Sequence, residues 1–280
     1  MSIGPGGFSP VVAKRLPSPA VVRKRGANDL PLQCSVAIAR QESSPMTVWL
    51  FRDFPYQSSV EARIVNADAR GLVLDCTIFY PHGGGQPGDT GMLLREDGTS
   101  IPVVDTLKGE TRGEIVHVLA ADSIRPAVGE TVTLALDWER RHAHMRMHTA
   151  CHLLSSVLPF PVTGGSIRRD SARLDFDMPG SAADKDAIAA RVNALIDAAH
   201  PVGAEWIDDD AFGARDDLVR TLAVAPPRDT GRVRLVRVDG VDLQACGGTH
   251  VANTREIGPI VIAKIENKGR QNRRVTIAFA

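Results

Sequence analysis

Hydrophobic residues in the first half of the chain come in short runs that are separated by turn residues. Runs rich in Val, Ile and Leu occupy residues 60–65, 72–75, 101–107, 114–119 and 131–136. Asp97-Gly98 and Val128-Gly129 lie between these runs, and such pairs are typical of tight turns. Several short strands at this spacing predict a small β-barrel.

The hydrophobic spacing changes to a helical period after residue 137. Residues 140–157 predict one helix, and residues 182–199 predict a second with Ser181 as its N-cap and Asp184 in its first turn. Further strand-like runs follow at 232–238, 257–265 and 273–279. Because helices are mixed here with strands that do not alternate with them, this half predicts an α+β domain.

Residues 1–45 differ from the rest of the chain. They hold several Pro and Gly residues, more Lys and Arg than acidic residues, and little periodicity. A basic start with few acids can be a targeting segment. Alternatively, the chain starts at Met46 and the extension is a mis-called reading frame or a disordered tail. The prolines argue against an amphipathic targeting helix, so the predicted organisation is an extension at 1–45, a barrel at 46–137 and an α+β domain at 138–280.

Composition narrows the class of protein. The 280 residues can form one large domain or two modest ones, and 43% of them are hydrophobic, which is ordinary for a globular protein. No apolar run approaches the roughly 20 residues that cross a bilayer. Four cysteines do not suggest a disulfide framework, so we expect a reducing, cytoplasmic location. A net charge of zero gives no overall sign of nucleic-acid binding.

Two short motifs predict a metal site. His148 and His152 are four residues apart, so on a helix they share one face. Cys246 and His250 would complete three imidazoles and one thiolate, a normal tetrahedral zinc shell. The helix motif lacks the glutamate of the HExxH metalloproteases, so the usual general base is missing. Residue types leave open whether three ligands bind and leave room for water, or four bind and the ion organises the pocket.

Other histidines and cysteines are expected to have structural or surface roles. Cys151 points about a third of a turn away from His152, which favours a buried structural role over a ligand. His142 and His144 are predicted to be surface residues. His117 lies in a strand pattern and is predicted to be structural.

A glycine-rich loop is the second candidate for chemistry. Gly83, Gly84 and Gly85 precede Gln86, and three glycines let backbone N–H groups approach an anion or a carbonyl closely. The loop is neither a Walker A loop nor a dinucleotide fingerprint, because the required spacing is absent. The alternative interpretation is a tight turn between barrel strands.

Four segments, in this order, resemble signatures of the alanyl-tRNA synthetase editing domain and of its free-standing relatives, the AlaX proteins. They are the glycine-rich stretch 79–91, the histidine helix 146–154, the segment 246–251 and the C-terminal stretch 267–274. The resemblance covers about residues 46–280. It implies an N-terminal barrel followed by an α+β editing domain that binds zinc through His148, His152, Cys246 and His250.

The resemblance also implies a substrate. AlaX proteins hydrolyse the ester of mischarged tRNA(Ala), chiefly the seryl form and sometimes the glycyl form. The expected substrate contacts are Gly83, Gly84, Gly85, Gln86, Asp89 and Thr163. Asp89 could bind the α-ammonium group or form only an Asx turn. Thr149, Thr163 and Thr249 are available hydroxyls for a serine side chain.

Two positions depart from the family pattern. His82 stands where an acidic residue is common. Thr163 stands near a position where the synthetase domains often have glutamine, which favours a free-standing type and leaves the placement of water open.

Local basic clusters are candidate tRNA contacts. Arg270, Arg273 and Arg274 crowd the C-terminus. Further arginines lie in the first part of the first predicted helix, at 140, 141 and 146, and after it, at 168, 169 and 173. If these residues converge, they form a basic rim beside the metal. The alternative is scattered, solvated charge.

Two other functions compete with editing of tRNA(Ala). The threonyl-tRNA synthetase editing domain shares the HxxxH helix, although the glycine-rich loop favours the alanine branch. A zinc-stabilised tRNA-binding module without catalysis is the other alternative. Nothing resembles an ATP-binding aminoacylation core, so the chain is not expected to charge tRNA.

Overall fold

The computed structural model describes residues 47–178, 184–219, 228–229 and 231–280, so the predicted extension at 1–45 lies outside the described residues. The helices are α1 (Trp138–Val157), α2 (Lys185–Asp197) and α3 (Asp209–Gly213). The strands are β1 (Val48–Trp49), β2 (Ser59–Asp68), β3 (Gly71–Leu74), β4 (Cys76–Thr77), β5 (Gly91–Arg95), β6 (Ser100–Lys108), β7 (Ile115–Leu119), β8 (Thr131–Leu136), β9 (Val162–Ile167), β10 (Ser171–Asp177), β11 (Val202–Asp208), β12 (Arg228–Asp229), β13 (Arg232–Val238), β14 (Asp242–Ala245), β15 (Ile260–Asn267) and β16 (Asn272–Phe279). None of the described helices is long and apolar enough to cross a membrane.

The predicted barrel is confirmed. Strands β2, β3, β7, β6, β5 and β8 close on one another in that order, and β2 pairs antiparallel with both β3 and β8. In β8 buried and more exposed residues alternate, which puts Val132, Leu134 and Leu136 inside. Strand β5 was not predicted, because Gly91 begins it and only Leu93 within it is buried.

The second core lies under an antiparallel sheet in the order β15, β16, β10, β9. Helices α1 and α2 pack with this sheet, and Met147, Leu153 and Leu154 of α1 are fully buried among its apolar residues. The α+β class is therefore confirmed. Strands β9 and β10 were missed, since Gly164 and Gly165 interrupt the apolar alternation in β9.

A third, smaller sheet is centred on β13, which pairs antiparallel with β11, β12 and β14. Phe212, Leu218, Val233 and Leu235 form a small core beside it. The sheet matters for the site because β14 ends at Ala245, directly before Cys246.

Helix α1 is joined to the barrel by a buried ion pair. Arg141 has no exposed surface, and its guanidinium donates to the Asp89 carboxylate and to the carbonyl oxygens of Ile78 (2.6 Å) and Pro55 (3.1 Å). Trp138, at the start of the helix, packs against both large cores. The orientation of α1 relative to the barrel is thus set by polar and apolar contacts together.

The cap of α2 differs from the prediction. The Asp184 carboxylate accepts hydrogen bonds from the backbone N–H groups of Asp186 and Ala187, so Asp184 is the N-cap and the helix starts three residues later than predicted. Ser181, the predicted cap, lies outside the described residues. Both side chains are good caps, and only the backbone path selects between them.

Candidate metal centre

Four side chains from two distant segments converge. The ligand atoms of His148, His152, Cys246 and His250 all lie within 4.8 Å of one another. The Cys246 Sγ atom is 3.5 Å from His148 Nε2 and 3.3 Å from His250 Nε2. Ligands that share a tetrahedral zinc ion at normal bond lengths are about 3.5 Å apart. The four predicted ligands therefore form a cluster of the right size for one ion.

Each of the three imidazoles is anchored through its Nδ1 atom. His148 Nδ1 donates to Gln86 Oε1 at 2.8 Å, and His152 Nδ1 lies 3.2 Å from Asp242 Oδ2. His250 Nδ1 lies 3.1 Å from Thr149 Oγ1, whose own proton goes to the Met145 carbonyl oxygen. Because every Nδ1 faces an acceptor, each ring in its neutral form would leave the Nε2 lone pair available to a metal.

The electrostatics of the cluster favour a thiolate. Burial opposes ionisation of Cys246, but the imidazoles of His148 and His250 outweigh burial and hold the pKa of this thiol well below its usual value. Burial alone lowers the pKa of His152, yet hydrogen bonds to Asp242 and Cys246 raise it to about 9. Burial, together with His148, lowers the pKa of His250 to about 3. The donor set of one thiolate and three imidazoles fits zinc.

The loop that carries Cys246 requires glycine. A Cβ atom on Gly248 would lie 2.2 Å from His148 Cε1 and 2.9 Å from Gln86 Oε1. Arg234 holds the loop in place. It is nearly fully buried and donates to the carbonyl oxygens of Cys246 (2.8 Å) and Gly248 (3.1 Å). Sequence analysis did not single out Arg234.

The other candidate residues are placed as follows. Cys151 is not part of the cluster, and burial raises the pKa of its thiol to about 12, so it stays neutral. His117 is fully buried between Thr77 Oγ1 and the Leu72 carbonyl oxygen, as predicted for a structural residue.

The surface prediction was wrong for His144, which is 2% exposed because α1 packs on that side. His142 is partly exposed and stacks on Trp138.

A cavity of about 420 Å³ opens beside the metal cluster. His148, His152 and Cys246 line it. Glycines and apolar residues form much of its wall, and they are Gly84, Gly164, Gly165, Gly247, Gly248, Val162, Ile167 and Leu174. No carboxylate is among the described residues that line it. The cavity therefore suits a small, largely uncharged group next to the cluster, and an anion at its edge.

The glycine-rich loop reaches both the cavity and the metal ligands. Gly84 lines the cavity, and the Gly85 carbonyl oxygen accepts from Ile167 N at 2.8 Å, which joins the loop to β9. Gln86 is fully buried, and besides His148 it contacts Thr249, to whose Oγ1 its Nε2 donates at 2.9 Å. The predicted turn is also present, since Gly83 and Gln86 pair through their backbones.

Asp89 and Thr163 are not among the residues that line the cavity. Asp89 is 1% exposed and is engaged by Arg141 and the Tyr80 backbone N–H. The Thr163 hydroxyl donates to the Asp175 carbonyl oxygen and accepts from Asn272 Nδ2. Of the three threonines expected to offer hydroxyls, Thr149 and Thr249 are fully buried and hydrogen-bonded to the metal shell.

Sequence reasoning missed three polar residues beside the site. Ser155 and Gln244 line the cavity, and Gln244 Nε2 donates to Asp242 Oδ2 at 2.6 Å. Two spacings could have found them. Ser155 follows His152 by three positions, and residues three apart on a helix are neighbours. Asp242 and Gln244 lie four and two positions before Cys246, and alternate positions of a strand share a face.

The arginines expected to form a basic rim differ in burial and in their contacts. Arg141 is buried, and Arg146 donates to the Ile257 carbonyl oxygen. Arg274 is paired with Asp175, with two hydrogen bonds of 2.7 and 2.8 Å. Arg273 donates to nearby backbone carbonyl oxygens, and Arg270 is exposed. Several of these side chains therefore have structural contacts.

Comparison with known proteins agrees with the architecture. Residues 233–276 match the family described as the threonyl and alanyl tRNA synthetase second additional domain. Residues 41–140 match the class II (A) tRNA synthetase family.

Relatives match over most of the chain. The alanyl-tRNA editing protein AlaX-M of Methanosarcina acetivorans is 38% identical over 74% of this chain and 88% of its own length. AlaX-M of Saccharolobus solfataricus is 35% identical over 82% of this chain and 98% of its own length. The alanine–tRNA ligase of Metallosphaera sedula is 32% identical over 94% of this chain, which corresponds to 29% of the ligase. With this identity over nearly whole relatives, the chain belongs to the AlaX family of alanyl-tRNA editing proteins.

Proposed function

We propose that this chain is a zinc-dependent deacylase that removes the wrong amino acid from tRNA(Ala), chiefly serine and also glycine. The observation that carries the proposal is the cluster of His148, His152, Cys246 and His250 beside a cavity without a carboxylate. Membership of the AlaX family supports the substrate class.

The four clustered residues would hold the zinc ion. Bound zinc supplies Lewis acidity, which polarises a carbonyl or acidifies water if a position stays open. The chain's own residues orient the site: Gln86, Thr149 and Asp242 each hold one imidazole by its Nδ1 atom. Such anchors keep the ligands in one geometry and so keep the reacting groups aligned.

The shape of the cavity supports a small aminoacyl group. Glycines at 164, 165, 247 and 248 leave room for a small side chain, and apolar residues such as Ile167 and Leu174 limit access of bulk water. An aminoacyl ester is already reactive, so catalysis needs a placed water and stabilisation of the developing oxyanion.

Selection of serine over alanine has a simple physical route. Ser155, Ser166 and Gln244 offer hydroxyl and amide groups on the cavity wall. If one of them bonds the serine hydroxyl, alanine leaves that buried group unpaired, which can give discrimination of about 10⁴. Thr163 lies between the cavity-lining residues Val162 and Gly164, and we propose that it acts by positioning β9.

We propose that the barrel at 46–137 and the α+β domain at 138–280 act together at this site. The loop Gly83–Gln86 comes from the barrel, and the metal ligands come from the α+β domain. In this arrangement the loop closes over the aminoacyl end from the barrel side, and the 3′ acceptor end of tRNA enters the cavity. Arg270, Arg273 and Arg274 are proposed as more distant contacts to the tRNA backbone.

The test is a comparison of four substrates with purified protein. Ser-tRNA(Ala) should lose serine rapidly and Gly-tRNA(Ala) more slowly, while Ala-tRNA(Ala) is spared. Ser-tRNA(Thr) should also be spared, because the glycine-rich loop and the relatives favour the alanine branch. Rapid release only from the threonine-identity tRNA would support the threonine branch. Tight tRNA binding without release of the amino acid from any of the four substrates would support the non-catalytic alternative.

A further inference from the structure

The charged groups at the cavity edge are of one sign. Among the described residues that line the cavity, the cationic side chains outside the metal cluster are Arg52 and Lys108, and the lining itself contains no carboxylate. A group that enters this cavity therefore meets positive charge at its edge. On the proposed function, the entering group is the 3′ end of tRNA, whose terminal adenosine carries a 5′-phosphate one ribose away from the aminoacyl ester.

Lys108 lies over the glycine-rich loop. It is the last residue of β6, its side chain is exposed, and a Cβ atom on Gly83 would lie 3.1 Å from its Nζ atom. Among the described residues, no carboxylate pairs with Lys108. The loop beneath it is held by the Tyr80 hydroxyl, which donates to the Gly83 carbonyl oxygen at 2.7 Å. The ammonium group is thus placed beside a braced turn with its charge uncompensated.

The turn itself offers hydrogen-bond donors. Gly84 and Gly85 both have positive φ angles, of 57° and 80°. The turn is closed by the backbone bonds between Gly83 and Gln86, and the N–H groups of Gly84 and Gly85 donate to no acceptor among the described residues. Successive N–H groups in such a turn form a concave site for an anion. Gly84 is exposed and lines the cavity, so this site faces the same opening as Lys108.

Arg52 supplies a second cation among the residues that line the cavity. Its guanidinium carbon lies 4.0 Å from the centre of the Trp49 ring, and the Trp49 indole N–H donates to the Gly113 carbonyl oxygen at 3.0 Å. Stacking on a fixed ring orients the guanidinium plane. A planar, oriented guanidinium is well suited to phosphate oxygens.

We propose that Lys108 and the amides of the Gly84–Gly85 turn, assisted by Arg52, bind the 5′-phosphate of the terminal adenosine of tRNA. This inference rests on the proposed tRNA substrate. It assigns the glycine-rich loop a phosphate contact in addition to the buried contact between Gln86 and His148. Binding at this phosphate would anchor the terminal ribose so that the aminoacyl ester reaches the metal cluster.

The experiment compares the wild type with Lys108→Gln on substrates with and without the phosphate. For seryl-tRNA(Ala), we expect Lys108→Gln to raise KM about tenfold, as expected for one charge-assisted hydrogen bond. For 2′(3′)-O-seryladenosine, which has no phosphate, kcat/KM should stay within about twofold of the wild type. Lys264→Gln is the matched control, because Lys264 is an exposed lysine paired with Glu266 on β15, and it should leave both substrates unaffected.

A neutral phosphate analogue identifies the contact. A minihelix with an uncharged methylphosphonate at its last linkage should bind the wild type about as weakly as Lys108→Gln binds the natural minihelix. When Lys108→Gln is combined with the methylphosphonate minihelix, the binding affinity should fall no further than with either change alone. The slope of log affinity against log salt should fall by about 0.7 in Lys108→Gln, which is the value for one single-strand phosphate. Equal melting temperatures would show that the variant folds.

The outcomes separate this inference from the proposed function. Fluorescence anisotropy with a minihelix that carries no amino acid measures binding without chemistry. It therefore tests Lys108 even if no serine is released. An unchanged affinity and salt slope in Lys108→Gln would overturn the inference while deacylation stands. An equal loss on seryladenosine would also overturn it, since Lys108 would then act on the ribose or the aminoacyl group.

Discussion

At the scale of single residues, the metal ligands and the glycine between them decide whether the site forms. The ligand atoms of the three imidazoles and Cys246 Sγ lie within 4.8 Å of one another, and each imidazole is held there by a contact at its Nδ1 atom. Loss of one of these side chains is therefore expected to change metal binding more than the fold, since none of the four belongs to an apolar core.

The first prediction concerns the ligands. Purified wild-type protein should hold one zinc per chain, and the double variant His148→Ala, Cys246→Ala should hold less than about a tenth of that, because two donors remain. Metal analysis after dialysis measures this, and Cys151→Ala serves as the control because Cys151 lies outside the cluster. Full zinc occupancy in the double variant would refute the assigned ligand set.

The second prediction concerns Gly248. Gly248→Ala should weaken zinc binding at least tenfold, because the added Cβ would lie 2.2 Å from His148 Cε1 and must displace that ring or the loop. Competition with a chromogenic chelator gives the affinity. Gly203→Ala is the matched control, since a Cβ at Gly203 meets nothing within 4 Å. If Gly248→Ala binds zinc as tightly as the wild type, the loop is more compliant than the structure indicates.

At the scale of elements, helix α1 holds the site together. Its N-cap, Asp137, accepts from Arg140 N, and its buried side carries both metal-ligand histidines. The ion pair between Arg141 and Asp89 fixes this helix against the barrel that supplies the glycine-rich loop. The distance between the loop and the metal ligands therefore depends on a contact more than one helical turn away from the metal.

The third prediction tests that contact. Arg141→Met should lower the free energy of unfolding by about 3–5 kcal/mol, because it leaves the Asp89 carboxylate buried without its cation. Chemical denaturation measures the change. Arg237→Met removes an exposed pair with Glu205 and should cost less than about 1 kcal/mol. A similarly small effect for Arg141→Met would mean that Asp89 finds another partner or takes up a proton at little cost.

At the scale of the whole molecule, different parts of the described chain line the cavity: Tyr80 and Gly84 before the barrel strand β5, Leu174 in the sheet that packs with α1, and Leu218 in the small third core. The barrel contributes the loop, helix α1 contributes two ligands, and the segment after β14 contributes the other two. The site therefore depends on contacts between segments that are far apart in the sequence.

The fourth prediction concerns residues 1–45, which lie outside the described residues. A chain shortened to begin at Met46 should have a free energy of unfolding within about 1 kcal/mol of that of the full chain. It should also deacylate Ser-tRNA(Ala) at the same rate. The reason is that these residues lack a core-forming pattern. A loss of more than about 2 kcal/mol, the size of a real packing defect, would show that the segment is part of the fold.

Five of the six barrel strands, the first helix and the four residues that cluster as a possible metal site could be predicted from the sequence alone. These depend on local spacing: period two for a strand such as β8, and positions i and i+4 for His148 and His152. The glycine at 248 is visible in the sequence motif, but the steric reason why glycine is required there is not.

The groups that surround the four clustered side chains could not be predicted from the sequence, because they come from distant segments. Gln86 is 62 positions from His148, and Asp242 is 90 positions from His152, and no periodicity relates such pairs. The same holds for Asp89, which pairs with Arg141 instead of lining the cavity, and for Lys108, which is placed over the loop by the pairing of β6 within the barrel. Contacts between distant segments follow from how the cores pack, so the ligands could be predicted from the sequence while their anchors and the charge of the cavity could not.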